Sequence, residues 1–467
     1  MKIKFGTDGW RAIIARDFTE ANVARAAEGT ALWVKKNFKN PSIIIGHDCR
    51  FAGEMFAHVT ANVLAAHNIQ VYIANNFVST PMISFGAKTY GASVGVIITA
   101  SHNPPSYNGY KLKSEHGGPL SPEKVQEVED LIPENCSVNY TDNDYANNVK
   151  AGKIKVVALE DDYVKHIEKS FDLDAIKKSG IKLAYDAMYG AGQNVMKRIL
   201  PDTLFLHCEY NPSFMGQAPE PIHKNLIEFS NLIKAKGNIE CGIATDGDAD
   251  RIGLYNSRGE FIDSHHIILL LIHYLVKYKK QTGKVVTAFS TTPRIAKICK
   301  HYNLELETVK IGFKYIAGIM VEQDVLVGGE ESGGIAIKGH IPERDGIWMG
   351  LVIAEFLAKS GKKLDDLIAE VYEITGSFAF ERNDLHIDEA VKQNIIKACQ
   401  NKTYDHFGSY KVDRLEDLDG YKYFLGNDEW IMIRPSGTEP VLRLYAESSN
   451  QAGAFKILEE TKRQILV

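Results

Sequence analysis

Val94-Gly-Val-Ile-Ile-Thr-Ala-Ser101-His102-Asn103-Pro104-Pro105 is an apolar, β-branched run that feeds a loop carrying a serine, a histidine and an amide. Its length and its Gly and Pro boundaries predict a central strand of a parallel sheet, and sites in such sheets form at the carboxyl ends of strands. Ser101 falls at such an end, with its hydroxyl expected to face solvent. A turn serine bonded to its own backbone, beside a solvated His102, is the plainer reading of these residues alone.

Working outward, a helix over about Glu20–Lys36 is expected to bury Val23, Ala27, Thr30, Ala31 and Val34, with Thr19 as its cap. Ile43–Ile45 and Val71–Ala74 read as further strands, the first ending in Gly46-His47-Asp48-Cys49-Arg50. Strands alternating with helices argue for an α/β domain. Asn108–Lys111 is read as a loop, and Ser121-Pro122 as a helix start. The polar, Asn-rich residues 133–150 read as a linker or edge.

Later strands are expected at 181–186, 239–245, 285–289 and 325–329, and helices around Ile267, over about Asp345–Lys359 and after Leu364. Past Gly376 the pattern changes to the strands Trp430–Arg434 and Val441–Tyr445, then a closing helix with Ala452, Phe455 and Leu458 on one face. This last part reads as α+β.

The chain has 467 residues, 45% of them hydrophobic, which is too much for one core and suggests about three or four domains. The net charge of −5 comes without a block of like charge, so neither nucleic acid nor a membrane surface is an expected partner, and a small molecule is. The apolar segment 267–276 is far short of the ~20 residues that cross a bilayer. Six dispersed cysteines without a C-x-x-C pair, and no apolar leader at Met1, fit a cytoplasmic chain. Gly190-Ala-Gly192 has Val195 where a dinucleotide fingerprint needs its third glycine, and no G-x-x-x-x-G-K-[ST] occurs.

Asp246, Asp248 and Asp250 alternate in a loop rich in Gly and Ala; three such carboxylates can converge on a hard cation such as Mg²⁺, or form a solvated acidic turn. An EF-hand is excluded, since Arg251 and Ser257 stand where Gly and Glu are required. Arg434-Pro-Ser436-Gly437-Thr438 offers a guanidinium, hydroxyls and turn N–H groups to a phosphate dianion, or is a capped hairpin turn. Glu330-Glu331-Ser332 between glycines presents acceptors for sugar hydroxyls, or is a surface loop. If Ser101 carries phosphate, a cation at the aspartates together with Arg11 and Arg251 would neutralise the transferring group. His102, Lys111 and Lys314 are the general acid/base candidates.

Taken together, the four loops resemble those of the α-D-phosphohexomutase superfamily, the phosphoglucomutase and phosphomannomutase group. Thr99–Pro104 is similar to its phosphoserine loop, Asp246–Arg251 to its metal loop, Gly329–Gly333 to its sugar loop and Arg434–Thr438 to its phosphate loop, in order along the chain. The resemblance implies three related α/β mixed-sheet domains and a C-terminal α+β domain around a central cleft, with expected spans 1–150, 151–254, 255–375 and 376–467. It also implies a phosphorylated Ser101 that shares Mg²⁺ with Asp246, Asp248 and Asp250, and exchange of hexose 1-phosphate and 6-phosphate through a 1,6-bisphosphate. His102, Lys111, Arg11 and Lys314 are carried over as catalytic. Arg251, Gly312, Glu330, Ser332, Arg434, Ser436, Gly437 and Thr438 are carried over as substrate-binding. Glu331 and Gly334 favour glucose over mannose or glucosamine.

A serine hydrolase is the reading offered by Gly91-Ala-Ser93-Val-Gly95, but a strand follows that serine where a helix is needed. A non-catalytic sugar-phosphate sensor of the same fold is the other alternative.

Overall fold

The computed structural model describes residues 1–6, 8–435 and 441–466. The chain divides into two compact units, 1–284 with 312–367 and 285–311 with 368–467.

The first unit opens with β1 (Trp10–Ile13), α1 (Glu20–Asn37), β2 (Ser42–His47), α2 (Gly53–Ala66), β3 (Gln70–Ala74), α3 (Thr80–Thr89), β4 (Val94–Ile98) and β5 (Tyr107–Ser114). Then come α4 (Pro122–Asp130), α5 (Asp142–Lys150) and β6 (Ile154–Val157). The expected caps are present: Thr19 accepts from the Asn22 N–H and Ser121 from the Lys124 N–H. The sheet order is β1-β5-β4-β2-β3-β6, with β4 buried throughout.

The sheet is mixed, as the family resemblance implies, and only the reading of the strand pattern alone as parallel is corrected. β4 runs parallel to β2 but antiparallel to β5. Residues 99–106 are too few for the crossover of about a dozen or more that parallel pairing requires. Asn108–Lys111, expected as a loop, lies within β5. Tyr110 and Leu112 enter the hydrophobic core while Lys111 and Lys113, on the opposite face, are equally buried. Gly109 sits where a Cβ would come 2.4 Å from the Thr99 carbonyl, so only glycine lets β5 pass this close to the serine loop.

Residues 133–150 are not simply a linker. Thr141 and Asp144 form a capping box for α5, the Asn62 side chain donates to the Thr141 carbonyl, and Tyr145 stacks on His58 at 3.7 Å. β6 then adds to the sheet parallel to β3.

A second sheet has β7 (Leu183–Asp186), β8 (Leu204–Leu206), β9 (Cys241–Thr245), β10 (Ile252–Asn256) and β11 (Phe261–Ile262) in the order β11-β10-β9-β7-β8. The Gly190–Gly192 turn packs under the acidic loop, the Ala191 N–H donating to the Gly247 carbonyl at 2.9 Å. Further on, Val325–Gly329 pairs antiparallel with Ile335–Ile337, and Asp345 caps the helix Gly346–Ser360. The same Asp345 carboxylate accepts from Tyr163 at 2.6 Å and pairs with His340 at 2.9 Å. His340 in turn lies 3.3 Å from His166 and stacks on Trp348.

In the second unit Lys284–Ala288 runs parallel to Leu306–Val309. The strands Ala379–His386, Val441–Ser448, Glu429–Pro435, Tyr421–Gly426 and Arg414–Glu416 form an antiparallel sheet in that order. The helix Gln451–Ile465 covers it with Ala454, Ile457, Leu458, Thr461 and Ile465. Of the expected face only Leu458 is buried; Phe455 is 49% exposed, because the true stripe steps from Leu458 by three and four residues to 454, 461 and 465. Among the described residues no helix is long and apolar enough to cross a membrane.

Two outcomes follow from this packing. Ile457→Ala is expected to lower stability by about 2–5 kcal/mol, and Phe455→Ala by no more than about 0.5 kcal/mol, as read from denaturant midpoints. Burial, then the neighbouring His340, pushes His166 down from 6.5 to about 4. The unfolded chain therefore takes up this proton first, so His166 makes stability fall as pH drops through that window. His166→Phe is expected to flatten the midpoint against pH over the same range; an unchanged slope would contradict this.

Candidate active site

Ser101 lies three residues past the end of β4 in a left-handed conformation, φ +51°, with its N–H held by the Thr99 hydroxyl at 2.9 Å. The Thr99 hydroxyl itself donates to Asp48. Ser101 is only 1% exposed, so its hydroxyl does not face solvent as expected. It donates to Asp246 Oδ2 at 2.8 Å, and His102 Nδ1 lies 3.4 Å from the serine Oγ. Burial, then the cations Arg251 and Arg11, hold the His102 imidazole well below the usual histidine range.

The acidic loop joins β9 to β10, turning at Ala249 with φ +57°. One oxygen from each of Asp246, Asp248 and Asp250 lies within 4.8 Å of the others, and all three residues are buried. Asp246 Oδ1 accepts the N–H groups of Asp250 and Arg251. Asp248 Oδ2 is held by Lys111 at 2.8 Å and Thr80 at 2.5 Å. Asp250 Oδ2 is held by Arg344 at 2.8 Å and Lys111 at 3.3 Å. That leaves Asp248 Oδ1 and Asp250 Oδ1 buried without a hydrogen-bond partner. Two orphaned carboxylate oxygens within a cluster of three buried aspartates make an all-oxygen donor set fit for a hard divalent cation. Burial and the two neighbouring carboxylates push Asp246 well above the usual range, whereas for Asp248 the Lys111 and Thr80 bonds overcome burial and hold it low.

Lys111 is fully buried against Asp8 at 2.9 Å, Asp248 and Asp250; burial opposes its charge, and the three carboxylates outweigh it and raise its pKa. Arg344 bonds Asp8 at 2.6 Å, and its guanidinium lies 5.4 Å over the Phe313 ring. Arg11 on β1 donates to the Asn103 side chain at 2.6 Å, and Arg251 lies 3.7 Å from Glu220. Glu330 accepts from the Gly312 N–H at 2.9 Å, and burial pushes its carboxyl up to about 7. A Cβ on Gly334 would come 2.4 Å from Arg344 Cδ, so the arginine occupies the space a side chain at 334 would need.

Phosphoglucomutase/phosphomannomutase domain families match along the chain: α/β/α domain I over 2–138, domain II over 161–259, domain III over 263–374 and the C-terminal domain over 389–464. The chain belongs to the phosphoglucomutase/phosphomannomutase family. It is 30% identical to a phosphoglucomutase/phosphomannomutase of Thermococcus kodakarensis, covering 97% of this chain and 96% of that one. It is 29% identical to a phosphoglucosamine/phosphogalactosamine mutase of Sulfurisphaera tokodaii, covering 98% of each. The crystal structure of a phosphomannomutase-type protein from Thermus thermophilus superposes with a TM-score of 0.88 at 30% identity, over 100% of this chain and 99% of that one. The family's four-domain α/β architecture, with mixed sheets and a distinct last domain, is the one expected from the sequence.

Of the residues singled out in the sequence, Ser101, His102, Arg11, Lys111, Asp246, Asp248, Asp250 and Arg251 come together in the first unit, with Gly312 and Glu330 tied by their own hydrogen bond. Ser332 is partly exposed in the same loop as Glu330. Lys314 lies in the first turn of the helix Phe313–Glu322 rather than in a loop, its ammonium 5.4 Å over Tyr315. Arg434 ends its strand 3.5 Å from Asp419, while Ser436, Gly437 and Thr438 lie outside the described residues. Ser93 is buried and accepts from the Ser42 N–H at the foot of β4, where it can serve no hydrolase.

Sequence reasoning missed Asp8, Asp48, Arg50, Thr80 and Arg344. Asp8 and Asp48-Cys49-Arg50 follow glycine-rich or strand-end positions that could have marked them. The charged triplet Glu343-Arg344-Asp345 just before a helix was a signal too. Thr80 carried none, since it reads as an ordinary residue of a helix start.

The donor set predicts that Mg²⁺ raises the unfolding temperature of the wild-type protein and that Asp248→Asn removes most of the shift. Calorimetry with and without chelator checks this; an equal shift in both proteins would put the cation elsewhere.

Proposed function

We propose that the protein interconverts hexose 1-phosphate and hexose 6-phosphate, carrying the phosphoryl group on Ser101. The observation that carries the reading is the Ser101 hydroxyl lying 2.8 Å from one of three converging, buried aspartates. Phosphorylated Ser101 gives its phosphoryl group to the free hydroxyl of the sugar phosphate, which loses its proton to a base, and Ser101 regains its hydroxyl. The resulting hexose 1,6-bisphosphate turns end over end and returns its other phosphate to Ser101. Asp246, Asp248 and Asp250, with the Ser101 phosphate, would hold Mg²⁺, which would supply charge neutralisation at the transferring group. Arg11 and Arg251 add fixed positive charge beside the loop.

Of the three acid/base candidates, His102 is best placed, 3.4 Å from Ser101 Oγ and neutral. Lys111 is engaged by three carboxylates that keep it protonated, which suits it to ordering the acidic loop. Glu330 and Ser332, with Gly312 and Lys314, read the sugar hydroxyls, and Arg434, Ser436, Gly437 and Thr438 hold the phosphate that is not reacting. The domain spans 1–150, 151–254, 255–375 and 376–467 belong to the same reading. So does a cytoplasmic setting, which six free cysteines suit. Glu331 and Gly334, read through the family resemblance, favour glucose phosphates as the preferred substrate over mannose or glucosamine phosphates.

Turnover on glucose, mannose and glucosamine 1-phosphates, each with Mg²⁺ and a trace of the matching bisphosphate, tests this. Glucose 1-phosphate is expected to be fastest, and Ser101→Ala to lower turnover roughly 10³-fold or more. Preference for another sugar overturns the specificity alone. Inertness of all three favours the sugar-phosphate sensor.

A further inference from the structure

Arg50 has no part in the chemistry proposed above, yet it is buried to 1% exposure beneath the serine loop. Its guanidinium donates to four main-chain carbonyls, three in that loop and one at the start of β5. One terminal nitrogen reaches Pro104 at 2.8 Å and Tyr107 at 3.0 Å; the other reaches Ser101 and Asn103, both at 2.6 Å. Asp48 anchors the arginine from below, accepting its main-chain N–H at 2.9 Å and lying 3.4 Å from Nε, and the Phe214 ring lies 5.0 Å from the guanidinium carbon.

The loop is thereby gathered around one rigid fork. Arginine is the only side chain with enough planar donors for four carbonyls; a lysine ammonium has three donors on a flexible stem. The second grip on Ser101 is its N–H, held by Thr99, whose hydroxyl is itself fixed by Asp48. With the carbonyl pulled toward Arg50 and the N–H toward Thr99, Ser101 stays in a left-handed conformation that a non-glycine residue adopts only under constraint. In that conformation its hydroxyl meets Asp246. The acidic loop leans on the same peptide, since a Cβ on Gly247 would come 2.6 Å from the Ser101 carbonyl.

We propose that Arg50 is the positioning residue for Ser101, acting with Thr99 through Asp48 to hold the hydroxyl against the acidic loop. The proposal rests on Ser101 being the phosphoryl carrier. The guanidinium is bonded to main-chain carbonyls and not to the Ser101 hydroxyl, so its loss is expected to misplace the nucleophile. Small misplacements of a reacting group cost about 100-fold in rate.

The test measures Arg50→Lys in the full-length protein. kcat is expected to fall about 100-fold with KM for glucose 1-phosphate within about threefold of wild type. The unfolding temperature is recorded alongside, so that a loss of folded protein is not read as a loss of rate. In parallel, wild-type protein is incubated with glucose 1,6-bisphosphate and Ser101 phosphorylation is read by mass spectrometry. If wild type takes no phosphate on Ser101, the functional reading and this proposal fall together. If wild type is phosphorylated and Arg50→Lys keeps its kcat, or changes KM alone, the positioning role is overturned and the mutase reading stands. Should Arg50→Lys fail to fold, Thr99→Ala decides by the same split: a fall of about tenfold in kcat at constant KM supports the frame, and a wild-type kcat overturns it.

Discussion

Three aspartates buried with their carboxylates within 4.8 Å of one another impose a cost that the surrounding fold must offset. Like charges this close, out of water, cannot all remain ionised without positive partners. Lys111 and Arg344 supply them, one from a strand of the first sheet and one from the residue pair ahead of a helix some 230 positions later. Asp8 bonds both cations and closes the network. What is left unsatisfied is one oxygen on Asp248 and one on Asp250, beside the Asp246 oxygen that meets Ser101.

This charge network explains why lysines stand in the middle of a buried strand. Tyr110 and Leu112 point into the first core, and Lys111 and Lys113 point the other way, to Asp248 and to Glu343. The serine loop is bound into the same arrangement from beneath, since Arg50 holds its carbonyls and Gly247 of the acidic loop packs on one of them. Ser101 and the carboxylates are thus set against each other by buried main-chain contacts, which side-chain motion at the surface does not disturb.

Arg344 also shapes the loop that carries Glu330. It fills the volume beside Gly334 and lies over Phe313, next to the Gly312 N–H that Glu330 accepts. A side chain at 334 and the present place of Arg344 exclude each other, so the choice of residue at one position constrains the other, and with it the partner of Asp250.

The sequence by itself determined the strand that leads to Ser101, the alternating aspartates, the strand-helix rhythm of the first three segments and the pair of strands near the C-terminus, because each rests on local periodicity and turn chemistry. It could not decide that β5 runs antiparallel to β4, that Lys111 sits in a strand, or that residues 142–150 form a helix. Polar residues there read as loop or linker because their partners, Asp248 for Lys111 and Asn62 for Thr141, are far away along the chain. The face of the last helix was misread for a related reason: Phe455 is apolar but exposed, and only the sheet beneath shows which stripe is covered. Asp8, Arg50 and Arg344 carried only weak local signals, a glycine-rich stretch, a strand end and a charged triplet, and none of these names a partner. Their significance comes from long-range burial and pairing, which exist only once the chain has folded.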